Sequence, residues 1–154
     1  MSLEIKRVTE NNFDDFLKLI NKLARYEKKN PPDINAQQRL MNDTLSKNPK
    51  CWAYLGKIDS QYIGYIIYYF TYSSYKAFPI LHIEDLFVLK KFRKKGLGQK
   101  LFDFCIKKAK ENGCTHIEWT AYNWNVSAIK FFEKNKATRL DKSCYQLNIE
   151  KSQK

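Results

Sequence analysis

Two adjoining segments carry residue types and spacings that chemistry requires. Residues 83–88 read Ile-Glu-Asp-Leu-Phe-Val, an apolar strand pattern that holds two carboxylates side by side. Residues 93–98 read Arg-Lys-Lys-Gly-Leu-Gly, a basic turn with two glycines, and an amphipathic helix begins at about Gly98. A turn of this kind at a helix N-terminus presents backbone N–H groups that bind phosphate. The acidic pair just upstream indicates chemistry on a cation.

The glycines of this basic turn favour a phosphate ligand. Gly96 and Gly98 leave no side chain between the backbone and a phosphate group. Two alternatives stay open: a solvated turn that only starts a helix, and a polybasic segment for nucleic-acid binding or nuclear import. The second alternative is supported by a cluster of cationic side chains, Lys90, Lys91, Arg93, Lys94 and Lys95. The flanking strand and helix favour the phosphate site, because neither alternative requires them.

Composition limits the class of protein and of partner. The 154 residues fit a single domain, 1–154, with a formal net charge of +12. This charge favours a polyanionic partner, or it serves only solubility. We expect neither nucleic acid nor a membrane as partner, since no nucleic-acid motif and no membrane-spanning apolar run is present. Four cysteines without a C-x-x-C pair and only two histidines predict no metal, and free thiols in a reducing cytoplasm.

Periodicity and capping residues predict the order of elements. The predicted strands cover about 4–8, 51–57, 62–72, 81–88, 116–122 and 144–149. Three predicted helices begin after the capping residues Thr9, Asp33 and Asn125. A further predicted helix begins at about Gly98 and ends at Gly113. This order, β-α-α-β-β-β-α-β-α-β, predicts an α/β fold with a mixed sheet and helices on both faces.

The element order and the R-x-x-G-x-G turn resemble the GCN5-related N-acetyltransferases (GNAT) over nearly the whole chain. The similarity is strongest to the diamine branch, which includes the spermidine/spermine and thialysine acetyltransferases. It is carried by residues 23–27, 68–72 and 83–88, by the glycine turn, and by Trp124-Asn125 with Ala128-Ile129 and Phe131-Phe132. The resemblance implies the GNAT fold, a mostly antiparallel mixed sheet in which a splayed strand binds acetyl-CoA, and a homodimer.

The resemblance also implies how acetyl-CoA is held. Backbone groups of residues 86–88 are expected to bind the pantetheine arm, and one N–H there to polarise the thioester carbonyl. The N–H groups of residues 94–99 are expected to bind the pyrophosphate. The predicted cofactor-binding residues are Leu86, Phe87, Val88, Arg93, Lys94, Lys95, Gly96, Leu97, Gly98, Gln99, Asn125, Ala128 and Phe132.

An amine acceptor needs a base. An alkylammonium of pKa about 10.4 is neutral in only about one molecule in 2,500 at pH 7, so attack on a thioester requires a proton acceptor. The resemblance suggests Glu84 as that catalytic base, with a surface carboxylate paired to lysine as the alternative. Because neighbouring strand residues point to opposite faces, only one of Glu84 and Asp85 is expected to face the site. The predicted substrate-binding residues are Tyr26, Glu27, Glu84, Asp85 and Glu118.

Three positions depart from the family pattern. Phe132 stands where the family usually has the tyrosine that protonates the leaving CoA thiolate, and Tyr122 and Tyr145 are conceivable substitutes. Lys136 stands where a glycine usually follows the last helix. Residues 73–75, Ser-Ser-Tyr, match the thialysine type of loop better than the spermidine type.

The predicted function is therefore transfer of acetyl from acetyl-CoA to a primary amine of a small diamine, polyamine or lysine-like molecule by direct attack. One alternative is a protein or peptide N-acetyltransferase. The other is a catalytically weak acetyl-CoA-binding protein, which Phe132 motivates because it cannot donate a proton.

Overall fold

The computed structural model describes residues 2–149. The chain forms two units, Met1–Trp119 and Thr120–Lys154. The strands of the first unit are β1 (Leu3–Arg7), β2 (Trp52–Ile58), β3 (Gln61–Ser73), β4 (Phe78–Val88) and β5 (Ile117–Trp119), and its α-helices are α1 (Phe13–Tyr26), α2 (Ile34–Leu45) and α3 (Leu97–Glu111). Short 3₁₀ turns cover Glu10–Asn12 and Lys90–Phe92. The described part of the second unit contains α4 (Val126–Lys134).

The strands form one sheet in sequence order, β1-β2-β3-β4-β5. The first four pair antiparallel with their neighbours, and β5 lies parallel to β4. This topology confirms the predicted α/β class and the mixed, mostly antiparallel sheet. Among the described residues no helix is long and apolar enough to cross a membrane.

Helices cover the two faces of the sheet, as predicted. On one face Phe16 of α1 lies edge-on to Tyr65 of β3, with ring centroids 5.5 Å apart. On the other face Phe104 of α3 lies edge-on to Tyr54 of β2, at 4.7 Å. Successive strand residues point to opposite faces, so Leu55, the register partner of Tyr65, joins the core under α1. The face under α1 is called the α1 face below.

Strand β5 is paired with β4 over three residues only. Leu81–Ile83 of β4 match Ile117–Trp119, whereas β4 continues to Val88. The Leu89 N–H donates to the Ile63 carbonyl at 2.8 Å, towards β3. Backbone groups alternate along a strand, so those of Leu86 and Val88 point away from β3. Within the described chain no β5 residue pairs with that side of β4 beyond Ile83, and we call residues 84–88 on that side the open edge.

The final predicted strand is wrong. Residues 137–149 form neither helix nor strand, and Tyr145, Leu147 and Ile149 are exposed by 91%, 85% and 75%. Their alternating pattern favours extended backbone, but a strand is stabilised by cross-strand partners. The described residues of the 120–149 unit contain no other strand to supply them.

Several boundaries also differ from prediction, and α1 begins at Phe13 with Asn12 as its N-cap, whereas this helix was predicted to begin after Thr9. Strand β5 ends at Trp119 and not at residue 122, and β4 begins at Phe78, inside the predicted loop. Helix α3 ends with Asn112 as its C-cap, and Gly113 follows in the left-handed region with φ +71°. A glycine directly after the cap is the usual way for a helix to end in that conformation, so the predicted stop signal is displaced by one residue.

Candidate active site

A β-bulge at Glu84 shapes the middle of β4. In the β3–β4 ladder Ile67 pairs with Asp85 and Tyr68 pairs with Ile83, so Glu84 has no residue opposite it. An extra residue of this kind bends the strand and breaks the alternation of its side chains. Glu84 and Asp85 therefore need not point to opposite faces.

Hydrogen bonds show that both carboxylates lie on the α1 face. The Tyr65 hydroxyl donates to Asp85 Oδ2 at 3.0 Å, and the Tyr69 hydroxyl donates to Glu84 Oε1 over a longer 3.5 Å. Tyr65 and Tyr69 are four residues apart on β3 and share a face. The prediction that the two acids point to opposite faces is wrong, because it assumed a strand without a bulge.

Glu27 joins these two acids from the C-terminus of α1. Burial raises the pKa of Asp85 to about 6, opposed by the Tyr65 hydrogen bond and reinforced by repulsion from Glu84 and Glu27. Burial also raises the pKa of Glu27; the charge of Lys29 opposes this shift and repulsion from Glu84 adds to it. The three carboxylates thus repel one another, and a cation placed between them relieves that repulsion. We call Glu27, Glu84 and Asp85 the acidic cluster.

Glu84 is the most accessible member of this cluster. Its side chain is 55% exposed, and His82 Nε2 lies 3.9 Å from its Oε1. The rings of His82 and Tyr69 lie 4.9 Å apart, so both flank the same carboxylate. Sequence analysis missed His82 and Tyr69. The signal available was a histidine two residues before the acid, but its orientation depends on the bulge.

Glu118 lies on β5 beside His82. The two are register partners in the parallel β4–β5 pair, which places them on one face of the sheet. Glu118 Oε2 is 2.8 Å from His116 Nε2, and His116 Nδ1 is 3.0 Å from the Thr115 hydroxyl. The structure therefore brings Glu118 to the face that carries the acidic cluster, already engaged by an imidazole.

The basic turn leads directly into α3. Gly96 is its N-cap in the left-handed region, with φ +79°, and the Lys100 N–H makes the bond to the Gly96 carbonyl at 3.2 Å. The N–H groups of Leu97 and Gly98 precede that bond, and helix geometry gives them no intrahelical acceptor. Among the described residues no side chain caps this terminus. These N–H groups can donate to an anion.

The turn lies against the end of β4. A Cβ added at Gly98 would meet Val88 Cγ2 at 4.0 Å, and a Cβ at Gly96 would meet nothing within 4 Å. Phe87 and Val88 are buried while Leu86 is half-buried, so Leu86 and Val88 present mainly backbone groups at the open edge. The N-terminus of α3 thus follows the open edge, and together they form a line of backbone groups in which the Val88 carbonyl accepts from Arg93 Nε.

The cationic side chains of the turn behave differently from one another. Arg93 Nε donates to the Val88 carbonyl at 2.7 Å, and its guanidinium lies over the rings of Phe87 and Tyr26, at 5.5 and 5.4 Å. Lys95 Nζ lies 5.8 Å from the ring of Phe92. Lys94 is exposed. Tyr26, at the end of α1, is 42% exposed and therefore reaches both the turn and solvent.

The remaining predicted cofactor residues lie in the second unit. Asn125 caps α4 as expected, since its side chain accepts from the Ala128 N–H at 3.3 Å. Phe132 packs edge-on against Phe131, with centroids 5.7 Å apart. Their roles towards a cofactor stay predictions. Among the described residues, no three His, Cys, Asp or Glu side chains are arranged so that they could hold a metal ion.

Comparisons with known proteins agree with this geometry. The family model described as acetyltransferase (GNAT) family matches residues 13–136. A thialysine N-epsilon-acetyltransferase of Caenorhabditis elegans is 28% identical over 142 residues, 92% of this chain and 87% of that protein. The protein of the same name from Mus musculus is 25% identical over 140 residues, 86% and 82% of the two chains.

A solved structure shares the fold. An aminoglycoside N-acetyltransferase in complex with CoA superposes with a TM-score of 0.80 at 15% identity, over 96% of this chain and 95% of that one. The bulged strand, the open edge and the glycine turn thus occur in a chain that the family model matches over most of its length. The chain belongs to the acetyltransferase (GNAT) family.

Proposed function

We propose that this chain transfers the acetyl group of acetyl-CoA to a primary amine of a small lysine-like molecule, diamine or polyamine. One observation carries the proposal: the backbone line formed by the open edge and the α3 N-terminus begins beside the acidic cluster. A phosphorylated thioester fits the first feature and an alkylammonium fits the second. The names of the thialysine acetyltransferases support the lysine-like class of amine.

The residues at the turn fit a diphosphate. Gly96 adopts a backbone conformation that side chains disfavour, and Leu97 and Gly98 direct N–H groups outward without intrahelical acceptors. The dipole of α3, a helix of 15 residues, adds attraction for an anion at this end. Backbone groups of residues 86–88 would bind the pantetheine arm, which leaves the thioester near the bulge.

Glu84 is positioned to prepare the amine. It would accept the ammonium proton, directly or through water, while Asp85 and Glu27 attract the cation and the Tyr26 ring offers a cation–π surface. The freed lone pair attacks the thioester carbonyl. The new C–N bond forms, the nitrogen loses its second proton to solvent, the C–S bond breaks and CoA leaves as a thiolate. A free thiol of pKa about 8.5 is a tolerable leaving group, so turnover does not require a tyrosine at Phe132.

The identity of a proton donor to CoA stays a prediction. Tyr122 and Tyr145 both lie in the second unit and are exposed by 41% and 91%. We further propose that the protein acts as a homodimer in the cytoplasm, on a small molecule and without nucleic acid or membrane as partner. The net charge of +12 then serves the anionic co-substrate and solubility.

Thermal unfolding tests cofactor binding first. Acetyl-CoA at about 100 times its Kd stabilises a protein by about 2.7 kcal/mol, which corresponds to a Tm rise of roughly 5–10 °C for a chain of this size. Pantetheine, which lacks the diphosphate, is expected to give a much smaller shift. A Tm that does not move at saturating acetyl-CoA would remove the proposal.

An amine panel then tests the reaction. Release of the CoA thiol is measured with thialysine, lysine, ornithine, spermidine and a peptide with a free N-terminus. Turnover with the small amines supports the proposal, and turnover with the peptide alone supports a peptide N-acetyltransferase. A Tm shift without thiol release from any amine would favour a catalytically weak acetyl-CoA-binding protein, the reading that Phe132 motivates.

A further inference from the structure

Arg93 links the two halves of the candidate site. It is the first residue of the basic turn, yet its side chain points back to the protein. Its Nε donates to the Val88 carbonyl at 2.7 Å, at the open edge. Its guanidinium lies 5.5 Å from the ring centroid of Phe87 and 5.4 Å from that of Tyr26. One side chain therefore contacts the end of β4 and the end of α1.

These contacts hold the guanidinium in a defined place. A short hydrogen bond restricts the head group, and two aromatic rings attract its planar charge. The residue is partly buried, which strengthens both interactions relative to an exposed arginine. Arg93 also occupies the Val88 carbonyl, which by strand alternation points to the open edge.

The partner on α1 is exposed on its other side. Tyr26 is the last residue of α1, it is 42% exposed, and Glu27 of the acidic cluster follows it directly. Lys28 then turns the chain away with a φ of +56°. Backbone bonds close this helix end, because the Glu27 N–H donates to the Leu23 carbonyl at 2.9 Å and the Lys29 N–H donates to the Ala24 carbonyl at 2.8 Å. The backbone is thus held at this point, and the contact with the Arg93 guanidinium bears on the orientation of the Tyr26 ring.

We propose that Arg93 is a positioning residue that couples the cofactor turn to the amine site. When a diphosphate binds the N–H groups of Leu97 and Gly98, it fixes the turn and with it the backbone of Arg93. The Arg93 side chain then fixes Tyr26, so that the amine binds more tightly to the CoA-bound protein than to the empty one. By reciprocity the amine tightens CoA binding by the same factor. The proposal rests on the proposed function and adds an energetic link between its two substrates.

The competing role for Arg93 is direct contact with a phosphate. That role predicts a loss of CoA affinity in Arg93→Leu that Arg93→Lys largely restores, with no change in the coupling between ligands. The coupling role predicts that Arg93→Lys loses the coupling between the two ligands. Lysine keeps the charge but cannot donate to the Val88 carbonyl and lie flat between two rings at once.

The test measures the Kd of thialysine with and without saturating CoA, by calorimetry. In the wild type, CoA is expected to lower that Kd about 5–10-fold, within the usual range of coupling between sites. In Arg93→Leu, Arg93→Lys and Tyr26→Leu this factor is expected to fall below about 2-fold. The Arg93→Leu/Tyr26→Leu double variant is expected to show no smaller factor than the single variants. Arg39→Leu, at an exposed arginine of α2, is the matched control and keeps the wild-type factor.

A second measurement does not depend on the choice of amine. A fluorotyrosine label at position 26 is followed by ¹⁹F NMR while CoA is added. The resonance is expected to shift in the wild-type background and in Arg39→Leu, and to stay unchanged in Arg93→Lys, whose fold is checked by thermal unfolding. A normal coupling factor or a normal ¹⁹F shift in Arg93→Lys would overturn the coupling and leave the proposed function intact. Absence of CoA binding to the wild type would overturn both.

Discussion

The basic turn and the acidic cluster are built by opposite means. At the turn the charge sits on side chains that are exposed or engaged by aromatic rings, while Leu97 and Gly98 offer the backbone donors. At the cluster the backbone is bent by a bulge so that side-chain carboxylates converge. The turn thus presents main-chain donors in a protein of charge +12, and the cluster is a local reversal of that charge.

This difference teaches where substitutions should act. A main-chain site tolerates changes in side-chain charge but not in backbone conformation. A side-chain site responds to the loss of a single carboxylate and to pH. The predictions below separate the two regions on that basis, in order of expected effect.

Glu84→Gln is expected to produce the largest loss. Removal of the base should lower kcat about 10²–10⁴-fold near pH 7, and less at pH 10, where much of the amine is already neutral. The measurement is thiol release across that pH range. Glu111→Gln, at an exposed acid of α3, serves as the matched control with unchanged turnover. An equal loss at every pH would contradict the role of Glu84 as base.

Asp85 should make stability depend on pH. Its pKa is raised to about 6 in the folded protein, above its unfolded value, so the folded state holds the proton more tightly. Stability therefore rises as pH falls from about 7 to 4, by an amount on the order of 2–3 kcal/mol from this group.

Urea unfolding of Asp85→Asn measures that contribution. The variant should be more stable than the wild type at pH 7, and the difference should shrink towards pH 4. Asp103→Asn, at an exposed acid on α3, controls for the general effect of removing a charge. If the wild type lost stability relative to Asp85→Asn as the pH falls, the raised pKa of Asp85 in the folded protein would be contradicted.

Gly96→Ala should weaken cofactor binding through the backbone alone. Both Gly96 and Gly113 have positive φ, +79° and +71°, and an added Cβ at either position meets nothing within 4 Å. Each alanine variant should therefore lose a similar stability, about 1–2 kcal/mol. Only Gly96→Ala should also raise the KM for acetyl-CoA, by about tenfold. Equal KM values in the two variants would argue that the turn does not bind the coenzyme.

Tyr69→Phe should have the smallest effect. The Tyr69 hydroxyl reaches Glu84 over 3.5 Å, the long end of the hydrogen-bond range, so its removal should lower kcat only about two- to threefold. Steady-state kinetics with saturating acetyl-CoA measure it, and Tyr72→Phe, at an exposed tyrosine of the same strand, is the control. A loss as large as that of Glu84→Gln would move Tyr69 into the chemical step.

Local signals predicted much of the fold. Asp33 after two prolines predicted the start of α2, and its carboxylate accepts from the Ala36 N–H at 2.8 Å. The two glycines predicted the turn, and Gly96 takes the left-handed conformation there. Capping and turn chemistry act over a few residues, so the residues that determine them are neighbours in the sequence.

Features that depend on register escaped prediction. The bulge at Glu84 arises from how β3 and β4 align, and it brings Glu84 and Asp85 to the same face of the sheet. His82 and Tyr69 join the site only through that alignment. The wrong strand prediction at residues 144–149 has the same origin, because the alternating pattern of one segment does not show whether another strand pairs with it.

The structure of the protein bound to CoA tests the central claim most directly. The account predicts the diphosphate within hydrogen-bond distance of the Leu97 and Gly98 N–H groups, with the pantetheine arm along residues 86–88. A diphosphate held by lysine side chains away from α3, with the open edge of β4 untouched, would contradict it.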